Sequence, residues 1–409
     1  MSFHFHGRRL ALILAALLSV QAAVAAPEAK PSDSFQVGLQ DDDRFLAAVP
    51  LKKGSALAAF ANADDILVRL VKKTGTVKGA KPIAVNGKSI SGIRRAAMAK
   101  LTTGQIAIAW VGLVGIKEAV FARVVKPKGA PASDEVPVSD DELANNSDAS
   151  VVALAKGKFA VIWRSETDEG ESGIKTQLFK ASGDPVGKPA TITGPGGASV
   201  VSPVATHFGD GFVVVYALTG GKQGVLAQRF SAKGKPQGGA LRLDSDNKLV
   251  HEEPAVAPLA SGGYAAVWRE SAFAGGDFPV ITDTVIRGRF VNADGQKQAL
   301  IALDDDAGDR TIERFLAPVE TKAGLLVGWS VVIEHDDFQL HSDIRGAFVS
   351  DKGKAGAVAP LTKSIADSEA EPHLVELADD RVLLGFTSSP AEASSRPHGA
   401  VGSFLEITD

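Results

Sequence analysis

The chain has 409 residues, more than one ordinary domain needs, and carries 44 Lys and Arg against 48 Asp and Glu, for a net charge of −4. With 45% hydrophobic and 22% charged residues it has the composition of a folded globular protein, and its charge gives no support to a nucleic-acid partner. The sequence contains no cysteine, which excludes disulfides, thiolate metal sites and a cysteine nucleophile.

The N-terminus has the pattern of an export signal. An arginine pair precedes the apolar run 10–20, and an A-x-A cleavage pattern ends at Ala25. This run is too short to span a hydrocarbon core of about 30 Å, although an uncleaved membrane anchor is the alternative. We therefore expect a signal peptide over residues 1–25, a short linker over residues 26–34, and a periplasmic or extracellular mature protein without a transmembrane span.

An apolar run that ends in an aromatic residue recurs seven times along the remaining chain. The aromatic residues lie 50 to 61 positions apart, and all four tryptophans of the protein occupy this position. They are Phe60, Trp110, Trp163, Tyr216, Trp268, Trp329 and Phe386. A turn precedes each run and a second β-type run follows it, so each unit contains four short strands. We expect the repeated aromatic to pack between sheets rather than to bind a ligand.

Four short antiparallel strands repeated seven times predict an all-β fold, a seven-bladed β-propeller over residues 35–409. The seventh unit stops after its third strand, and residues 35–43 match the fourth strand of the fifth unit, at 300–306. The N-terminal strand should therefore complete the last blade and leave no open sheet edge. An open solenoid or a tandem of β-sandwiches is the structural alternative, and we expect the propeller to be a monomer.

The repeats resemble those of secreted and surface bacterial proteins that combine an apolar run to an aromatic, a Q-R-F segment and a Gly turn. In this chain the three features are residues 213–216, residues 228–230 and Gly234. The resemblance covers essentially the mature chain and implies a structural repeat whose members have no common activity. The W-D pair of WD repeats, a recurring kelch double glycine and the Asp-box of sialidase-type blades are absent.

Motifs of common catalytic sites are also absent from the sequence, including G-x-S-x-G, H-E-x-x-H and the phosphate-binding glycine loops. The densest titratable cluster is Glu334, His335 and Asp336, on the loop after the sixth repeated aromatic. A histidine between acids can act as an acid or base, or bind a divalent cation. A solvated acidic loop is the alternative.

Charged loops are predicted to separate by sign. The loops between blades, and those between strands two and three, are rich in acids, whereas the opposite side of the disc carries lysine-rich turns. Among the acidic loops, Asp304, Asp306 and Asp309 offer the hard oxygens that Ca²⁺ prefers. We expect no other cofactor.

Counting back six residues from the apolar residue before the first turn of each unit predicts the residues around the mouth of the central channel. These are Phe45, Arg95, Asp148, Ser202, Glu253, Glu313 and Glu371. The channel mouth is the natural ligand position in such a ring. The candidate ligand-binding residues are therefore Arg95, Asp148, Glu253, Glu313, Arg314 and Glu371, together with Glu334, His335 and Asp336.

These observations support one main hypothesis and two alternatives. Because no catalytic set is recognisable, the main hypothesis is an exported, non-catalytic binding or scaffold module that holds a protein, cationic or glycan partner on its acidic face. The first alternative is a hydrolase or lyase that uses Glu313, Glu371 and His335 at the channel mouth. The second is an envelope component whose lysine-rich face rests on an anionic lipid or polymer.

Overall fold

The computed structural model confirms the seven-bladed propeller. It describes residues 26–62, 64–87, 92–93, 95–139, 144–194, 197–220, 223–245, 249–274, 280–303, 311–334, 340–363, 368–378, 380–389 and 398–408. The predicted signal peptide, residues 1–25, lies outside this part of the chain. Seven antiparallel sheets follow one another: six are built from four consecutive strands, and the seventh combines three C-terminal strands with two N-terminal strands.

The first four blades each contain four strands, counted outwards from the channel. Blade one has β3 (Arg44–Pro50), β4 (Ala56–Asn62), β5 (Asp65–Val71) and β6 (Val77–Ala84). Blade two has β7 (Arg95–Lys100), β8 (Ile106–Val114), β9 (Lys117–Val125) and β10 (Val136–Pro137). Blade three has β11 (Asn145–Ala153), β12 (Phe159–Glu166), β13 (Ser172–Phe179) and β14 (Pro185–Thr193). Blade four has β15 (Ser199–Phe208), β16 (Gly211–Thr219), β17 (Gly224–Phe230) and β18 (Pro236–Arg242).

The remaining blades follow the same order. Blade five has β19 (Val250–Pro258), β20 (Tyr264–Ala274), β21 (Val280–Val291) and β22 (Lys297–Leu303). Blade six has β23 (Thr311–Thr321), β24 (Gly324–Glu334), β25 (Leu340–Val349) and β26 (Ala359–Pro360). Blade seven has β27 (Ser368–Glu376), β28 (Arg381–Ser389) and β29 (Gly399–Thr408). Each innermost strand packs against the innermost strand of the next blade, and β27 packs against β3, so the ring is closed.

The N-terminus completes blade seven, as predicted. Both β1 (Glu28–Pro31) and β2 (Phe35–Gln36) pair antiparallel with β29, with Glu28 opposite Thr408 and Phe35 opposite Gly402. The closing strand therefore starts earlier than the sequence indicates, because β1 lies within the residues expected to form a linker. Ala29 explains the difference, since it packs against the apolar side of blade seven between polar neighbours.

The repeated aromatics form the packing between blades. All four tryptophans are fully buried, and Tyr216, Phe60 and Phe386 are at most 1% exposed. The core interpretation of these residues is confirmed, because each ring removes a large apolar area from water.

Helical structure is confined to two short 3-10 turns in the described ranges, Lys52–Gly54 and Ala155–Gly157. Each joins the first and second strands of a blade. No helix in the described part of the chain has both the length and the apolar character needed to cross a membrane.

Candidate active site at the channel mouth

Five innermost strands share one irregularity at the point where they enter the channel. In β11, β15, β19, β23 and β27 two residues lie opposite a single residue of the second strand, which defines a β-bulge. That single residue is the repeated aromatic in each blade, for example Trp163 opposite Asp148 and Ala149. The aromatic signature of the sequence therefore also marks the site of the bulge.

The first residue of each bulge has a left-handed backbone although none is glycine. These residues and their φ angles are Asp148 (55°), Ser202 (51°), Glu253 (50°), Phe315 (56°) and Glu371 (57°). A left-handed L-residue costs roughly 1–2 kcal/mol, and bulges beside active sites commonly redirect a side chain. All five residues line the central channel.

Proline makes the bulge compatible with the sheet in three of these blades. Pro203, Pro254 and Pro372 follow directly after the left-handed residue. The second residue of a bulge has no ladder partner for its backbone N–H. A proline at that position has no N–H, so no donor is left unpaired.

Three carboxylates at the mouth each pair with an arginine of a neighbouring blade. Their partners are Arg95 for Asp148 (2.8 Å), Arg314 for Glu253 (3.3 Å) and Arg44 for Glu371 (2.6 Å). The arginine side chains are 56%, 47% and 39% exposed in that order. A guanidinium carries five N–H donors, so each of these arginines keeps donors available to a ligand.

A buried arginine supports one side of this arrangement. Arg269 on β20 is 5% exposed, forms an ion pair with Glu252 and lies 3.7 Å from Glu253 Oε1. Its Nη1 also donates to the carbonyl oxygen of Glu313, at 3.2 Å. Arg269 therefore fixes the strand that presents Glu253 and couples it to blade six.

The paired charges surround an open cavity. A space of about 470 Å³ is lined by the three arginines of the pairs, Asp148, Glu371, Glu118 and Phe315. Below it, a channel space of about 420 Å³ runs between the seven innermost strands. A ligand held at the mouth would therefore meet carboxylates, guanidinium groups and one aromatic ring at the same time.

His373 lies two residues after the mouth residue of blade seven, and its type differs from that of the equivalent residues in the other blades. In each blade the equivalent position is the one that pairs with the residue before the repeated aromatic. In the other six blades this position carries a small or aliphatic side chain: Ala47, Ala97, Ser150, Val204, Ala255 and Ala317. The His373 ring lies 5.7 Å from that of Phe45, which fills the space beside Gly385. Burial, together with the positive charge of Arg95, lowers the pKa of His373 to about 4. The imidazole is therefore neutral at ordinary pH and can accept a proton.

The position expected for Glu313 is wrong. Its side chain is buried, 2% exposed, and accepts a hydrogen bond from Thr284 of blade five. Phe315 occupies the mouth position of blade six instead. The residue before the first turn of this blade is the polar Thr321, which pairs with Gly324. A count that starts from an apolar residue therefore begins two positions too early, at Val319, and selects Glu313.

The other predicted mouth residues lie where the sequence places them. Arg95, Asp148, Glu253, Arg314 and Glu371 all border the channel or its mouth. Sequence reasoning missed Arg44, Phe315 and His373. His373 had a detectable signal, because it is the one titratable side chain in an aligned set of small residues.

Several predicted residues lie outside the described part of the chain. His335 and Asp336 of the loop cluster are among them, and so is the side chain of Glu334. The candidate metal ligands Asp304, Asp306 and Asp309 are also outside it, so the Ca²⁺ site stays a prediction. Among the described residues, no group of three or more His, Asp and Glu side chains has an arrangement that holds a metal ion.

Some polar residues of the predicted acidic face stabilise loops by accepting hydrogen bonds from the backbone. In three blades a side chain two residues beyond the fourth strand accepts a backbone N–H from the first half of the third strand, at 2.8–2.9 Å. The acceptors are Asn86, Ser139 and Asp244, and the donors belong to Ile66, Val120 and Val225. Asp43 is also buried, and its Oδ2 accepts the N–H groups of Leu39 and Gln40. These polar side chains therefore hold loops in place.

Comparison with known proteins recovers the fold. No protein family model matches the chain, and no curated protein matches its sequence. These comparisons therefore do not confirm the resemblance to bacterial surface repeats.

Three solved structures resemble the propeller. A Dyadobacter fermentans protein of unknown function has a TM-score of 0.51 at 13% identity, covering 93% of this chain and 99% of its own. An α-L-arabinofuranosidase from Fusarium graminearum bound to an iminosugar inhibitor has a TM-score of 0.51 at 14% identity, covering 76% and 92%. A polysaccharide lyase has a TM-score of 0.52 at 7% identity, covering 93% and 99%. At these identities the similarity establishes the fold and leaves activity to be argued from the site.

The main functional hypothesis of a non-catalytic binding module is nevertheless wrong by this comparison. The two of these structures with a stated activity, an α-L-arabinofuranosidase and a polysaccharide lyase, are enzymes that act on glycans. The alternative drawn from the sequence is a hydrolase or lyase at the channel mouth. Of the residues named for that alternative, Glu371 lies at the mouth, whereas Glu313 is buried away from it.

Proposed function

We propose that this protein is a glycan-active enzyme, and that it cleaves an acidic polysaccharide by elimination at the mouth of its channel. The observation that carries the proposal is the neutral His373 in a channel whose mouth is bordered by three half-exposed arginines. A lyase needs these two elements: positive charge for the carboxylate of a uronic acid, and an unprotonated base for the adjacent carbon acid.

The arginines supply the charge. Arg44, Arg95 and Arg314 all line the same cavity, and each is already oriented by a carboxylate on the neighbouring blade. A preformed guanidinium stabilises developing negative charge more strongly than water does, because its N–H donors are already oriented. Bound to the substrate carboxylate, it would stabilise the charge that develops when the C5 proton leaves.

His373 supplies the base. A free ring nitrogen takes the proton from C5 of the uronic acid, the C–H electron pair forms the C4=C5 double bond, and the glycosidic C4–O bond breaks. The imidazolium then returns the proton to the leaving oxygen, so atoms and charge balance. Once the proton has passed to the leaving oxygen, His373 is neutral again.

Hydrolysis is the second candidate, favoured by the presence of three carboxylates. A glycosidase of the two-carboxylate type needs one carboxylic acid that stays protonated. At this mouth Asp148, Glu253 and Glu371 each form an ion pair with an arginine. These ion pairs engage the carboxylates themselves, whereas the general acid of a glycosidase must present its proton to the glycosidic oxygen.

One experiment separates the two reactions. The purified mature protein is incubated with polygalacturonate, alginate and neutral arabinan, and both new reducing ends and ultraviolet absorbance of the C4=C5 double bond are followed. We expect both signals to rise together on a polyuronate. Reducing ends without absorbance would establish hydrolysis, and the absence of both signals on all three polymers would count against a glycan-cleaving enzyme.

Export is part of the same proposal, since intact polysaccharides are encountered outside the cytoplasm. The sequence pattern ending at Ala25 supports it. The test is the N-terminal sequence of the protein recovered from the periplasm and the medium. Recovery of an uncleaved chain in the cytoplasm would contradict it.

A further inference from the structure

We propose that Phe315 is an aromatic platform on which a sugar ring of the bound glycan stacks, and this inference rests on the proposed glycan-active function. The site would take one pyranose or furanose ring by its C–H face at the edge of the mouth. Phe315 lies at the boundary of the two cavities and lines both of them.

The backbone of Phe315 is the first argument. Its φ of 56° is left-handed, the region that a bulky side chain avoids most. The other four blades with this bulge carry Asp, Ser or Glu at the same position, and these short or flexible residues tolerate it better. A strained residue persists where the surrounding structure holds it for a purpose, and such residues cluster at binding sites.

The neighbours of Phe315 hold it in this conformation. Its backbone N–H donates to Glu253 Oε2 at 2.7 Å, across the junction of blades five and six. The other oxygen of the same carboxylate, Oε1, lies 3.3 Å from Nε of Arg314. Arg314 in turn places its guanidinium carbon 5.1 Å from the centre of the Phe315 ring. One carboxylate therefore fixes both the backbone and the cation that covers the ring.

The chemistry of the mouth indicates what the ring binds. Phe315 is half-buried, whereas Phe45, the other phenylalanine of the channel lining, is 1% exposed and packed beside Gly385. An accessible ring among charged groups gives a ligand one apolar surface surrounded by hydrogen-bond donors and acceptors. A sugar matches this pattern, because its C–H face is apolar and its rim carries hydroxyl groups. Arg314 keeps donors for that rim.

Binding measured under conditions that slow cleavage tests the platform. Affinity electrophoresis in the cold, through gels containing polygalacturonate, alginate or arabinan, compares the wild type with Phe315→Leu and Phe315→Trp. We expect Phe315→Leu to weaken binding roughly 10-fold, and Phe315→Trp to stay within about 3-fold of the wild type, because stacking needs an aromatic face. Ile116→Ser is the matched control, since Ile116 is 95% exposed on the blade-two hairpin and should leave binding unchanged.

The outcomes separate this inference from the proposed function. Binding that Phe315→Leu leaves intact overturns the platform, even if the protein cleaves a polymer. Binding that depends on Phe315 without any cleavage supports the platform and overturns the enzyme. No retention of the wild type by any of the three polymers overturns both. Thermal unfolding of each variant checks folding, and equal loss with Phe315→Leu and Phe315→Trp contradicts stacking.

Discussion

Two groups of arginine, carboxylate and histidine residues in the propeller have opposite characters. At the mouth, the carboxylates sit on left-handed bulges, their arginines are half-exposed, and His373 faces a cavity. At the junction of blades four and five, Asp244, His251 and Glu270 form what we term the junction cluster. There His251 is fully buried, with Nε2 3.4 Å from Glu270 Oε1 and 3.7 Å from Asp244 Oδ2.

The two groups differ in whether their charges and hydrogen-bonding groups are available to a ligand. In the junction cluster Glu270 also accepts from Nε1 of Trp268 at 2.9 Å, and Asp244 accepts from Arg242 at 2.6 Å. Burial acts to raise the pKa of Glu270, but His251, Trp268 and Arg287 outweigh it and lower the pKa. The junction cluster therefore uses its charges internally, as buried pairs do. The mouth keeps accessible donors and a neutral base, so the same residue types serve stability in one place and chemistry in the other.

Matched substitutions of the two histidines should give the largest contrast. His373→Gln should lower kcat at least 100-fold, roughly the contribution of a general base, with little change in the unfolding midpoint. His251→Gln should lower stability and leave kcat per folded molecule unchanged. The measurements are steady-state kinetics on a polyuronate and thermal unfolding. Equal kinetic effects of both variants would break the distinction between mouth and junction.

Asp244→Ala should be the most damaging change within the junction cluster. It removes the acceptor of the Val225 N–H and the partner of Arg242, so we expect a loss of about 4 kcal/mol in the free energy of unfolding. Urea denaturation measures this loss. The control is Asp41→Ala, because Asp41 is exposed and should be nearly neutral. A similarly small effect at Asp244 would show that the junction cluster does not hold the blades together.

The pH dependence of stability should report on His373. Its folded pKa of about 4 lies below the 6.5 of an unperturbed histidine, so between these values the unfolded chain takes up a proton that the folded protein does not. Stability is therefore fully present above pH 6.5 and falls as the pH drops towards 4, by up to about 3 kcal/mol at 1.36 kcal/mol per pKa unit. Urea unfolding across this window should show the slope in the wild type, and a reduced slope in His373→Gln. An unchanged slope in His373→Gln would show that another group causes the pH dependence of stability.

Ser202→Gly should give the smallest effect and the opposite sign. Glycine accepts the φ of 51° without strain, so we expect the free energy of unfolding to rise by roughly 0.5 kcal/mol. Ser150→Gly, two residues after the blade-three bulge position, is the control. Ser150 has no left-handed backbone, and its Oγ accepts the N–H of Ala205 at 3.1 Å, so glycine there should destabilise the protein. A loss of stability in Ser202→Gly would show that the bulges are not strained.

The sequence predicts the scaffold well because the repeated features are local. A strand-two aromatic such as Trp163 or Trp268 is buried in every blade for the same reason, so its spacing alone reveals the blade count. The count of six residues places Asp148, Glu253 and Glu371 at the mouth for a similar reason. The method fails in blade six, where the residue before the turn is the polar Thr321, so the count starts two residues early and selects Glu313 instead of Phe315.

The chemistry of the site is less predictable because it arises between blades. Arg44 and Glu371 are 327 residues apart and meet through ring closure. The low pKa of His373 depends on burial and on Arg95, which belongs to blade two. Neither the Arg44–Glu371 pair nor the effect of Arg95 on His373 can be recognised from the local sequence. The bulges are equally hidden, since a left-handed glutamate before a proline reads as an ordinary strand residue.

The pairing of Glu28 with Thr408 sets the order in which the molecule can be completed. The strands β1 and β2 that complete blade seven are made long before β29, so they are among the last to find their partner. Each doubling of a loop adds about 0.6 kcal/mol to closure, so joining the ends adds only about 2 kcal/mol over closing one blade. The delay is kinetic rather than thermodynamic. Until β29 is available, β1 and β2 are unpaired edges that a protease or a second chain can reach.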